Sequence, residues 1–156
     1  VTGPTPPAVV PGDPRYEDLI RRGHNPRFAN RPDEIHPVRS TEEVVRVVAD
    51  AVRTGRRIAV RSGGHCGEDF VDNPAVRVLI DMSRMSLVDF DHRRDAFVVE
   101  AGATMEQVYR TLYFGWGVTV PGGVCLSVGA GGHFAGGGFG ALSRSLGTVA
   151  EYIEAV

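Results

Sequence analysis

The chain has 156 residues, a formal net charge of −2 at pH 7, 42% hydrophobic and 23% charged residues, enough for one domain with a packed core. That balance gives no electrostatic footprint for nucleic acid or an anionic membrane, and no apolar run approaches the ~20 residues that span a bilayer. All 17 basic residues are arginine, which excludes a Walker-type phosphate lysine and a lysine Schiff base within the chain.

Residues 1–14 hold Pro4, Pro6, Pro7, Pro11 and Pro14 and read as an extended, poorly ordered arm. The same stretch has neither a charged n-region nor an apolar h-region, so no signal peptide is visible and a cytoplasmic location is expected. Tyr16–Arg22 reads as a short helix ended by Gly23, and Glu34–Arg39 as an edge strand that tolerates Pro37. Ser40 and Glu43 form a capping box that opens a helix. Val44, Val45, Val47, Val48, Ala51 and Val52 follow at helical spacing, and Gly55 is a natural C′ residue.

Ile58–Val60 is a short apolar strand feeding the loop Arg61-Ser62-Gly63-Gly64-His65-Cys66-Gly67. Val76–Asp81 is a buried-type strand. Leu87–Asp91 and Ala96–Ala101 are two more, joined by the polar turn at 92–95. Thr104 with Gln107 makes a second capping box, for a helix whose inward face is Met105, Val108, Tyr109 and Leu112 and whose end is Gly115. Val118–Val120 reads as a strand running into a second loop, Pro121–Gly147. Residues 151–156 read as a final strand without a partner, which suggests that more protein follows. The helix–strand–glycine-loop order belongs to an α/β (α+β) arrangement with both loops at one sheet edge, where open α/β sheets bind ligands.

Glycine lets a backbone approach a ligand closely, and successive glycine N–H groups form a nest for phosphate oxygens. Two such loops point to a large phosphate-bearing cofactor. Arg61 adds a charge-assisted contact to a pyrophosphate, or else pairs with an acid. Residues 136–141 match G-x-G-x-x-G/A but lie between no strand and helix, so a Rossmann reading is rejected. Two cysteines, Cys66 and Cys125, are too few for a disulfide scaffold, although one bridge between them stays open. A zinc site from His65, Cys66, Cys125 and His133 departs from the usual ligand spacings, and no metal is expected. His65 and Cys125 each sit in a glycine-lined turn, an imidazole in one loop and a thiol in the other. Taken singly, each reads as a structural histidine or a small buried cysteine; together they suggest a joint role, with Cys66 the competing thiol.

RSGGH at 61–65, VLIDMS at 78–83, EAGAT at 100–104, PGGVC at 121–125, VGAGGH at 128–133 and GGGFGALSR at 136–144 together resemble the FAD-linked oxidases of the berberine-bridge-enzyme type. These belong to the vanillyl-alcohol-oxidase/PCMH flavoprotein superfamily. HCGEDFVDN at 65–73 is most similar to the actinomycete branch that tailors antibiotics and other natural products. The resemblance implies an N-terminal arm and short helix over 1–33 and a PCMH-type FAD-binding domain over 34–156. That domain would be incomplete, with the substrate-binding domain and the C-terminal return segment outside the chain.

It further implies a bicovalent FAD, bonded at its 8α-methyl to His65 and at C6 to Cys125. Arg61, Ser62, Gly63 and Gly64 would cradle the pyrophosphate. Cys66, Gly67, Pro121, Gly122, Gly123, Gly129, Gly131, Gly132, His133, Gly138 and Leu142 would line the cofactor, and Ile153 would touch it through its backbone. Val128 falls where a small aliphatic side chain is associated with oxygen access, which favours an oxidase. Two departures stand out: Cys66 replaces a serine or small polar residue, and Glu151-Tyr152 replaces Asp-Asn.

The activity implied is hydride transfer from a hydroxyl-bearing carbon of a sugar or natural product to flavin N5, with reoxidation by O2 to H2O2. A small hydroxylated substrate and O2 are the partners, and the catalytic base is expected outside the chain. The rival readings are an oxidative cyclase, a dehydrogenase with another acceptor, and an FAD-binding module without redox chemistry. Nothing in the sequence sets the oligomeric state.

Overall fold

A computed structural model describes residues 3–156. Three strands form a parallel sheet in the order β1 (Glu34–Pro37), β3 (Val78–Asp81), β2 (Ile58–Arg61). β3 is central and buried at all four positions, as an apolar run flanked by parallel neighbours should be. Its side chains alternate between two cores. Val78 and Ile80 pack with Val38, Met82 and Met85 against Val47 and Ala51 of helix α2 (Thr41–Arg53). Leu79 packs on the opposite side with Ile35, Ala59 and Val76, against Tyr16 and Leu19 of helix α1 (Tyr16–Ile20).

α2 begins as expected at Ser40, whose hydroxyl accepts from the Glu43 N–H at 3.3 Å. The Glu43 carboxylate reaches one residue further back than a capping box requires, accepting from the Arg39 N–H at 2.8 Å. Gly55 follows the helix at φ +64°, the left-handed conformation that a C′ glycine supplies. Just beyond it, Arg56 ties α2 to β1 by pairing with Asp50 at 2.8 Å and Glu34 at 2.6 Å.

Over its described residues the arm is extended, but it is not loose. Val9 is buried and exchanges both backbone hydrogen bonds with Ile35, at 2.8 and 2.9 Å. The Pro6 carbonyl also meets His36 Nδ1 at 3.1 Å. The arm therefore covers the outer edge of β1, an edge that would otherwise expose unpaired backbone groups.

β4 (Val88–Asp91) and β5 (Ala96–Val99) make an antiparallel hairpin with Val88 opposite Val99. The hairpin, through Val88, Phe97 and Val99, closes a third core of Ala103, Met105, Val108, Leu112 and Ala130. Helix α3 (Met105–Arg110) carries the complete Thr104–Gln107 capping box and runs into a π-helical turn, Thr111–Gly115.

Two expected strands are absent. Val118–Val120 meets no free strand edge; Val118 N–H instead bonds back to the Leu112 carbonyl at 3.2 Å, and β-propensity without a partner makes no strand. Residues 151–156 also form none. Thr148 and Glu151 make a capping box for a 3₁₀ turn, Val149–Tyr152, so the T-x-x-E signal outweighs the β-character of Tyr152-Ile153. The glycine-rich stretch carries two short helices, α4 (Ala130–Ala135) and α5 (Ser143–Leu146). Among the described residues no helix is long and apolar enough to cross a membrane.

At the C-terminal ends of β2 and β3, Arg61 and Asp81 form a buried ion pair, with Arg61 Nη2 2.7 Å from Asp81 Oδ2. Burial pushes the Asp81 pKa up, and hydrogen bonds from Ser83 and Arg61 more than offset it, so the group stays below the usual carboxylate value. Asp81→Ala should therefore cost about 3–5 kcal/mol, since it strands a buried guanidinium. Replacing both partners with apolar residues of similar volume should cost less. Urea unfolding of the two variants measures the difference.

Candidate cofactor site

The chain leaves β2 as Ser62-Gly63-Gly64-His65 and there meets the second glycine loop. A Cβ on Gly63 would collide with the Gly129 nitrogen, and one on Gly129 would collide with the Gly63 nitrogen. The loops thus cross backbone against backbone, a contact only glycine permits. Hydrogen bonds bracket the crossing, from Met105 N–H to Val128 O at 2.8 Å and from Ala130 N–H to Ala103 O at 2.7 Å. The Ser62 hydroxyl adds a bond to the Ala101 carbonyl.

A cleft of about 510 Å³ opens beside the crossing, lined by Ser62, Gly63, Gly102, Thr104 and Ser127 among others. Among the described residues, the N–H groups of Gly63, Gly64 and His65 have no hydrogen-bond acceptor. Three consecutive donors at the end of a parallel strand form an anion nest.

His65 and Cys125 come to one side chain. His65 Nε2 lies 2.8 Å from Ser127 Oγ, and Cys125 Sγ lies 3.8 Å from the same oxygen. The His65 ring stacks on His24 with centroids 4.3 Å apart and planes 15° from parallel. Burial, and then the charge of His24, hold the His65 pKa below the ordinary imidazole value. Both cysteines are free, and Cys125 is exposed. The Cys66 thiol turns to the Glu68 carbonyl, 3.3 Å away. Among the described residues no group of three or more metal-ligating side chains gathers.

Several expected cofactor residues are engaged elsewhere. The Arg61 guanidinium is buried on Asp81, so of its two readings the acid pairing is the one observed. His133 Nε2 accepts from the Gly123 N–H at 2.8 Å, while Tyr109 O–H donates to the Gly123 carbonyl at 2.7 Å. That pins the Pro121–Gly123 turn from both sides, and the Pro121 carbonyl accepts from Ser143 Oγ at 3.1 Å.

Gly122 faces Met105 and Tyr109, Gly131 faces Ala101, Gly138 faces Val149, and Gly64 faces the Arg22 carbonyl. Their missing Cβ atoms serve packing within the chain. Gly67 and Gly132 face open space. The Val128 side chain packs on the third core. Leu142 precedes α5 and Ile153 follows the 3₁₀ turn, both away from regular structure. No motif marks Ser127 or His24; their roles come only from where the loops cross.

A lysine-free backbone nest at a parallel strand end, joined to a second glycine loop, defines a nucleotide-cofactor domain. Known proteins agree: residues 32–156 match the family described as FAD binding domain. The chain belongs to that family, in the PCMH/vanillyl-alcohol-oxidase superfamily.

Over 144 residues it is 56% identical to aclacinomycin-N/aclacinomycin-A oxidase of Streptomyces galilaeus, covering 92% of this chain and 26% of that protein. The crystal structure of glycopeptide hexose oxidase DBV29 complexed with teicoplanin is 54% identical, with a TM-score of 0.90 over 96% of this chain and 30% of that one. Phl p 4 is more distant, in two variants. One, described as a glucose oxidase, is 30% identical with a TM-score of 0.82 over 92% of this chain and 31% of its own. The other, a glucose dehydrogenase, lacks the first variant's isoleucine-to-valine change and is 29% identical, with a TM-score of 0.80 over 92% and 31%. The chain thus spans under a third of the length of these relatives. The nest, the cleft and the open face at Gly132 fit FAD.

Two expectations test the site. Gly129→Ala should force the loops apart and lower FAD affinity about tenfold or more, ~1.4 kcal/mol. Gly115→Ala, with no atom within 4 Å of its Cβ, should leave affinity unchanged; titration of apoprotein with FAD reads both.

The second expectation concerns pH. Burial holds the His133 pKa below its ordinary value of 6.5. The unfolded chain therefore binds this proton more readily than the folded one, and stability falls as pH drops below 6.5 toward the lowered folded value. His133→Gln should flatten that acid limb in urea unfolding, because the amide oxygen still accepts from Gly123.

Proposed function

We propose that the protein carrying this chain is a flavin-dependent oxidase. It would take a hydride from a hydroxyl-bearing carbon of a sugar or sugar-bearing natural product and use O2 as acceptor. The observation that carries the reading is the convergence of His65 and Cys125 on Ser127 beside an anion nest. The names of the similar proteins, an aclacinomycin oxidase and a glycopeptide hexose oxidase, support the substrate class.

FAD supplies the hydride acceptor, and oxygen carries the electrons away, so that an alcohol and O2 become a carbonyl compound and H2O2. The chain's own residues bind and hold. The N–H groups of Gly63, Gly64 and His65 would receive the pyrophosphate, and His65 and Cys125 would tether the ring system at its 8α and C6 carbons. Each tether would replace a C–H and an N–H or S–H bond by one C–N or C–S bond. Forming each tether would be a two-electron oxidation, with O2 accepting the two electrons and two protons and leaving as H2O2. No side chain of this stretch is assigned removal of the substrate proton.

The family resemblance gives Val128 the position of oxygen access, which favours an oxidase over a dehydrogenase on the same scaffold. In the Phl p 4 pair the variant with an isoleucine-to-valine change is described as a glucose oxidase and the one without it as a glucose dehydrogenase, so on this fold a single aliphatic residue accompanies the choice of acceptor. Val128→Ile should suppress peroxide formation while turnover with a dye acceptor persists.

Intact mass of the full-length protein under denaturing conditions, followed by peptide mapping, tests the tethering. One FAD bonded to the peptides holding both His65 and Cys125 is expected. A protein that releases its flavin on denaturation contradicts the covalent reading.

A further inference from the structure

We propose that Ser127 is the positioning residue for both tethering side chains. Its hydroxyl accepts the Nε2–H of His65 and donates its own proton to the sulfur of Cys125. This rests on the bicovalent reading above.

The geometry is a chain of three groups: Ser127 Oγ is 2.8 Å from His65 Nε2 and 3.8 Å from Cys125 Sγ. A hydroxyl has one proton to give and lone pairs to receive with, so it can serve one neighbour as acceptor and the other as donor. Of the two possible directions, one runs from the thiol through Ser127 to Nε2. It puts the ring proton of neutral His65 on Nδ1 and leaves no ring nitrogen with a free lone pair. The other runs from Nε2–H through Ser127 to the sulfur. It leaves the Nδ1 lone pair free and directs a hydrogen bond at the sulfur, so both atoms that must form bonds are prepared by one side chain.

The surroundings fix this chain in place. His24 covers one face of the His65 ring, and its own backbone N–H donates to the Gly64 carbonyl at 2.7 Å, so the imidazole is held at a defined tilt. Burial and His24 also favour the uncharged ring, the form in which one nitrogen keeps its lone pair. Ser127 is placed from both sides. The Val128 N–H closes a turn onto the Cys125 carbonyl at 3.2 Å, and the Ser127 carbonyl lies against Gly63, 2.7 Å from where a Cβ would stand. The loop crossing thus delivers the hydroxyl to His65, and the turn delivers the thiol to the hydroxyl. An exposed serine in a two-residue step from a cysteine would otherwise carry no signal.

The test is made on full-length protein supplied with FAD, comparing wild type with Ser127→Ala, Ser127→Thr and Ser127→Val. Threonine keeps the hydroxyl, and valine keeps threonine's shape without it. Because Ser127 is exposed, all three should fold and bind FAD, which the flavin retained before denaturation confirms. Wild type and Ser127→Thr should carry both adducts. In Ser127→Ala and Ser127→Val the rate of His65 adduct formation should fall about tenfold, what a hydrogen bond of ~1.4 kcal/mol provides. Peptide mapping against time and the flavin absorption spectrum give the readout.

Adducts forming at the wild-type rate in Ser127→Ala and Ser127→Val would overturn the proposal and leave the bicovalent reading standing. An equal loss in Ser127→Thr and Ser127→Val would overturn it too, since shape and not the hydroxyl would then matter. Absence of both adducts from wild type would overturn the reading beneath it.

Discussion

With no side chain at Gly63 or Gly129, the main chain of one loop rests on that of the other at near-contact distance. Everything on the cofactor side hangs from that crossing. It sets the Thr104–Gly129 bridge, brings the third core up against the parallel sheet's loop end, and carries Ser127 to His65. It also leaves the N–H groups of Gly63, Gly64 and His65 without an acceptor among the described residues. A single methyl group at either position would separate a nest from the side chains that work beside it.

Behind the crossing stands the Arg61–Asp81 pair. A guanidinium has a planar fork of donors, and here Nε and Nη2 both reach Asp81 Oδ2, at 3.2 and 2.7 Å. The pair closes the ends of β2 and β3 just where the chain must turn into the nest. It thereby holds the starting point of the loop. Charge at the nest itself comes from backbone dipoles.

Much of this is legible in the sequence because it is local. The Ser40 cap, Gly55, the buried run of β3 and the Thr104–Gln107 box depend on residues within a turn of one another. The strand-then-glycine order before His65 is equally plain, and with the later motifs it carries the family resemblance. What the sequence conceals is non-local. Val9 pairs with a strand many residues on, Arg61 finds its acid across a strand pair, and Ser127 acquires a partner only when two loops cross. The glycines read as ligand-facing, yet most leave room for other parts of the same chain; composition cannot say which backbone a missing Cβ accommodates. Val118–Val120 and residues 151–156 have β-character without an edge to join, and at Thr148–Glu151 a local capping signal outweighs propensity.

The ion pairs that frame the sheet have a common property with a directional result. Arg61 with Asp81, and Arg56 with Glu34 and Asp50, all take their positive charge from guanidinium, which stays protonated in any solution a protein tolerates. Nothing on the cationic side of this framework titrates as hydroxide concentration rises. The buried phenol of Tyr16 and the half-buried one of Tyr109 are themselves shifted upward by burial, which delays their ionisation as well. The electrostatic framework is therefore lopsided: it yields to acid, through its carboxylates, and holds against base.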